Sequence, residues 1–134
     1  FRRMTKVFRM LPIKTKGQLE ADLSAAITQF EREYLGRGPR EARSFIIQDM
    51  LLIRLKGVLT PAEERLANER DGAQLIKQVR TRLIESARAL LEQIIFEKTG
   101  AQVVTLHTDI SSKNGERIFV FCLNRNLEEE LRKI

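Results

Sequence analysis

Residues 34–63 read Tyr34-LGRGPREARSFIIQDMLLIRLKGVLTPA-Glu63, and they decide the fold class: a helix stop, two apolar extended runs and a capped helix start follow one another. Gly36, Gly38 and Pro39 halt whatever precedes them, since glycine accepts the left-handed conformation past a helix end and proline lacks the next backbone donor. From Arg43 to Lys56 the chain is rich in Ile, Leu and Phe, with Gln48-Asp49 as the polar pair near its middle. This predicts two short strands folded at Gln48-Asp49. In the second, Leu51, Ile53 and Leu55 share one face while Leu52, Arg54 and Lys56 share the other. A single continuous strand is the alternative, because the turn signal is weak. Thr60-Pro61-Ala62-Glu63 then opens a helix: Thr60 caps free amides, Pro61 suits the first helical position and Glu63 completes a capping box.

Upstream, Leu19, Leu23, Ala26, Ile27, Phe30 and Tyr34 recur at spacings of three and four, which predicts a helix over 17–35. Downstream, Asp71-Gly72 interrupts the chain. A long helix then carries Leu75, Ile76, Val79, Leu83, Ala87, Leu90, Leu91, Ile94 and Ile95 on one wide stripe, ends before Gly100 and is expected to be the central core helix. Asn114-Gly115 is the pair best suited to a two-residue type I′ hairpin. With Lys113 opposite Glu116, Ile110 faces Phe119, Thr108 faces Phe121 and Leu106 faces Leu123. On the other side His107 faces Cys122, beside Asp109 and Val120. That side is mixed in character, which suits partial cover by a helix, a partner subunit or a ligand. A last helical segment is expected from Leu127 to Ile134. The expected fold is α+β: a two-layer αββαββ domain with a mainly antiparallel four-stranded sheet and helices on one face.

The length of 134 residues suits one domain. Residues 1–14 are read as a basic arm or a remnant foreign to the native chain, 15–126 as the single domain and 127–134 as a helical tail. Hydrophobic residues at 43% and charged ones at 31% describe a chain able to bury a core. No apolar run approaches the roughly 18–20 residues of a membrane span, and no signal-peptide pattern is present. A cytoplasmic domain is expected. The net charge of +6 is local: Arg2, Arg3, Lys6, Arg9, Lys14 and Lys16 precede the first acid, Glu20, and the remainder holds 18 basic and 18 acidic residues. If helical, the arm puts Phe1, Met4, Phe8 and Leu11 on one face, which suits peripheral membrane contact through residues 1–13. The same arm suits nucleic-acid phosphates, although the stacking aromatics of an RNA-binding sheet are missing.

One histidine and one cysteine do not make a structural metal site, so no metal or cofactor is expected. Cys122 sits in an apolar strand without an activating base, and no enzyme is expected. Gly36-Arg37-Gly38-Pro39-Arg40 could bind a small anion, because a glycine turn exposes amides and arginine offers a forked donor. A plain helix stop with solvated arginines is the simpler reading. Arg43, Arg54 and Lys56 extend this basic strip. The candidate ligand- or partner-binding residues are therefore Arg37, Arg40, Arg54, Lys56, His107 and Asp109.

Three pieces carry a resemblance: Tyr34-Leu-Gly-Arg-Gly-Pro39, Leu55-Lys-Gly-Val-Leu-Thr-Pro-Ala-Glu63, and Thr108-Asp-Ile-Ser111 leading to Gly115-Glu-Arg117. Over about residues 15–126 the chain resembles the small bacterial family named for the MpsC component of a sodium-translocating, membrane-potential-generating system. The resemblance implies a non-enzymatic accessory or regulatory binding module of a membrane system, cytoplasmic or peripheral to the inner face of the membrane. It would work through protein partners such as membrane transport subunits and as a homodimer. Two other functions are kept: a nucleic-acid-binding module using the basic arm with Arg37, Arg40 and Arg43, and an enzyme acting on a small anion near Gly36 to Pro39.

Overall fold

The computed structural model describes residues 14–133; all but Lys14 of the basic arm read over residues 1–14 lies outside them. Helix α1 (Lys16–Leu35) leads into hairpin β1 (Glu41–Ile47) and β2 (Met50–Lys56). Three helices follow, α2 (Pro61–Ala67), α3 (Gly72–Ser86) and α4 (Arg88–Thr99). Hairpin β3 (Val103–Ser111) and β4 (Glu116–Leu123) and a short α5 (Leu127–Arg132) complete the domain. The sheet is antiparallel throughout, in the order β1-β2-β4-β3. The α+β class, the four antiparallel strands and the placing of the helices on one face are as expected. Three helices, however, occupy the stretch between the two hairpins.

Local rules account for the ends of α1 and α2. Thr15 and Gln18 form a reciprocal capping box on α1, and Gly36 closes it in the left-handed conformation at φ 87°. Thr60 and Glu63 form the same box on α2, with Pro61 at its start. The β1–β2 turn does fall at Gln48-Asp49, with Gln48 at φ 56°. Its weak local signal is offset from a distance: Glu128 Oε1 accepts from the Gln48 amide at 2.8 Å, and the Glu128 amide donates back to the Gln48 carbonyl at 3.2 Å.

Two expectations are corrected. The single long helix is two, broken at Ala87, whose amide is shared among the carbonyls of Leu83, Ile84 and Glu85. Beside the break, Ser86 Oγ donates to the Arg82 carbonyl at 3.0 Å, a back-bond that bends helices. The wide stripe divides accordingly. Ile76, Ile84, Ala87, Leu91 and Ile95 are buried, whereas Leu75, Val79, Leu83 and Leu90 are exposed on the outer side. The second hairpin turns through the four residues Ser112 to Gly115, so Ser111 pairs with Glu116. Gly115 is held from outside the hairpin, with its carbonyl accepting from the Val58 amide at 3.0 Å, and a Cβ there would stand 3.4 Å from Leu59 Cγ. This shifts the register by two residues: His107 pairs with Val120, and Cys122 with Thr105. A slip of two leaves every side chain on its expected face. A bulge at Val104 then carries the strand to its last pair, Val103 with Leu123.

One core fills the space between sheet and helices. Ile46, Leu51, Ile53, Leu55, Phe119 and Phe121 supply its floor, and Leu23, Ile27, Leu91 and Ile95 its roof.

Candidate functional site: the open face of the sheet

Alternation places the other set of strand side chains on the face without helices. The pairing register arranges them in rows across all four strands. Phe45, Leu52, Val120 and His107 form one row; Ile47, Met50, Cys122 and Thr105 form the next. Arg43, Arg54, Ile118 and Asp109 form a third, and Glu41 and Lys56 lie beyond it. The middle of this face is apolar and in part fully solvated: Phe45 is 39% exposed and Ile47 40%, while Leu52, Ile118, Val120 and Cys122 are half-buried by their neighbours alone. Among these elements, nothing covers it.

Four of the six residues singled out from the sequence share this face, two on β2 and two on β3. Arg54 pairs with Glu116 at 2.5 Å, and Lys56 is exposed beside it. His107 is exposed on the edge strand β3. Asp109, also on β3, reaches Lys77 of α3 at 3.2 Å and accepts from the Ile110 amide at 2.9 Å, and these contacts, Lys77 first, hold its carboxyl below the usual range. Arg54 and Asp109 stand two strands apart, about 10 Å, so these groups rim a surface and do not converge on a reaction centre. Arg37 and Arg40 sit off the face, in the α1–β1 connection. Arg40 is fixed there because its amide donates to the Lys56 carbonyl at 2.8 Å and its side chain lies over Gly57. A Cβ on Gly57 would stand 2.2 Å from Arg40 Nε.

A second constellation, beneath the sheet, was not among the sequence candidates. Glu31 of α1 and Arg117 of β4 are 0% and 1% exposed, and Arg80 of α3 is 4% exposed. Arg80 grips Glu63 with two bonds, Nη2 to Oε1 at 2.7 Å and Nε to Oε2 at 3.0 Å, and donates to the Val58 carbonyl at 3.0 Å. Burial pushes the Glu63 carboxyl up, but the bonds from Arg80 and Thr60 outweigh it and leave it below its ordinary value. Arg117 lies over the Phe119 ring at 5.5 Å and donates to Thr108 Oγ1 at 2.8 Å. Its Nε and Nη2, and both oxygens of Glu31, have no hydrogen-bond partner among the described residues. Desolvation pushes the Glu31 carboxyl up to about 7 against the opposing fields of Arg117 and Arg80. It also draws Arg117 down to about 10.

The family comparison matches residues 15–125 to the model described as Na+-translocating membrane potential-generating system (MpsC). The chain belongs to the MpsC family. This MpsC-family domain is 46% identical to the uncharacterized protein YbcI of Bacillus subtilis (strain 168) over 121 residues, 90% of this chain and 98% of that one. It is 26% identical to the uncharacterized protein YrhF of the same organism over 105 residues, 78% of this chain and 86% of that one. No solved structure matches it.

Proposed function

We propose that this MpsC-family domain is a non-catalytic accessory or regulatory module of a bacterial membrane system, working on its cytoplasmic side through protein contacts made by the open face of the sheet. The observation that carries this reading is the apolar surface of that face, around Phe45, Ile47, Leu52 and Val120, bordered at one end by Arg43, Arg54, Lys56, Asp109 and Glu116. An exposed apolar patch with a polar rim is the ordinary form of a protein-contact surface. The family description supports the choice of system, sodium translocation or the generation of membrane potential. No helix among the described residues is long and apolar enough to cross a membrane, and in this reading the crossing is left to partner subunits.

The test uses the full chain as bait on detergent-solubilised membranes and on cytosol from a bacterium that carries it. The reading expects integral-membrane transport subunits to be recovered with the wild type and lost with Leu52→Glu, a change on the open face. Equal recovery with both proteins, or recovery of nucleic acid alone that disappears in high salt, contradicts it.

A further inference from the structure

The open face has a pattern of its own beyond being apolar. Its basic residues Arg43, Arg54 and Lys56 lie on β1 and β2, where Glu41, paired with Arg43 at 3.3 Å, is the one acid; Asp109 and Glu116 lie on β3 and β4. Two sheets packed face to face around a two-fold axis parallel to their strands, running between β2 and β4, place β1 over the partner's β3 and β2 over the partner's β4, row on row. Arg43 then lies over Asp109 of the second copy and Lys56 over Glu116. In the same arrangement Leu52 covers Val120, Met50 covers Cys122 and Phe45 covers His107, while Arg54, held by Glu116 of its own chain, covers Ile118. The other face-to-face choice, an axis across the strands, reverses the rows and sets Arg43 and Arg54 over Ile47 and Met50, so that both arginines, held only by Glu41 and Glu116 of their own chain, are desolvated on apolar surface and meet no acid of the second copy. We propose that the open face closes on a second copy of this chain, around a two-fold axis parallel to the strands.

The face measures about 20 by 20 Å from the spacing of strands and residues. That lies at the small end of specific interfaces and suits a dimer that forms and dissociates at micromolar concentrations. Strands of the two copies run aligned, the common sheet-on-sheet packing. The two Cys122 Cα atoms fall about 11 Å apart, half a strand spacing to either side of the axis with about 10 Å between sheets. This is beyond disulfide reach but within that of a short bis-maleimide.

The proposal rests on the reading that protein covers this face: the second copy occupies it in the free chain and gives way to the membrane partner, so the two compete for it, and its test is separate from that of the membrane partner. Sedimentation equilibrium of the full chain compares wild type, Arg43→Asp, Asp109→Arg and the double reversal. Each single reversal sets like charges together and is expected to weaken the dimer about tenfold, and the double reversal is expected to return it to within about threefold of wild type. Circular dichroism confirms that the variants are folded. A wild-type chain that is monomeric at about 100 µM, far above a micromolar dissociation constant, overturns the proposal. So does a double reversal as weak as the two singles combined. A monomer that still captures membrane subunits through Leu52 removes the second copy and leaves the functional reading standing; a dimer that captures nothing does the reverse.

Discussion

Glu31 has both ionisation states within ordinary reach because its carboxylate is stripped of water and repaid only by the fields of Arg117 and Arg80. Its folded-state value, about 7, lies above its unfolded one of 4.5. Its contribution to stability is therefore complete below pH 4.5 and is lost as pH rises through 7. The loss is on the order of 3 kcal/mol. Glu31→Gln mimics the protonated form, so its urea-unfolding stability is expected to match wild type near pH 4 and exceed it by up to that amount at pH 8. Parallel profiles across that range would remove Glu31 as a titrating group. Arg80→Ala strands Glu63 and the Val58 carbonyl and is expected to cost about 3 kcal/mol in the same measurement. All three charges sit in apolar register: Glu31 four residues after Ile27, Arg80 midway between Ile76 and Ile84, and Arg117 in alternation with Phe119 and Phe121. The signal was present in the sequence, but a charged residue reads by default as solvated, and only the packing shows that these are not.

Gly72 marks the limit of what local chemistry can say about the helical stretch. Asp71-Gly72 is legible as an interruption, but the reason for the glycine is tertiary: a Cβ there would meet the Leu66 carbonyl oxygen at 1.9 Å. Gly72→Ala is expected to cost about 2 kcal/mol or more, read as a lowered midpoint of thermal unfolding, and an unchanged midpoint would show that the α2–α3 corner yields freely. Helix α2 has no buried residue, so its cap matters more than usual. Thr60→Ala is expected to cost about 1 kcal/mol and to speed amide exchange through Pro61–Ala67 while leaving α1 unchanged. The α2 cap and the helix stop at Gly36 could be read because their causes lie within a few residues, whereas the Gln48-Asp49 turn gave only a weak local signal because Glu128 holds it from eighty residues away. The break at Ala87 and the four-residue turn at Gly115 could not be read. The first depends on a serine back-bond, and the second on a hydrogen bond from Val58, more than fifty residues away in sequence.

At the scale of the whole molecule, the helices take up one side of the sheet and leave the other bare. Alternation in β2 and β4 made that second face visible in the sequence as mixed in character. The strand order was not legible, and with it the gathering of Arg43, Arg54 and Lys56 on β1 and β2 and of Asp109 and Glu116 on β3 and β4. The register error of two residues did not alter which side chains share the face, so the surface survived a wrong turn. Whether protein covers this face can be checked on the native chain with its single thiol. Cys122 is half-buried in the middle of the face, so its rate of labelling by a maleimide reports whether the face is open. Measured across protein concentrations spanning the micromolar range, labelling is expected to slow several-fold as concentration rises and to become concentration-independent in Leu52→Glu. Wild-type labelling at one rate over the whole range would contradict closure by a second copy and leave the face bare.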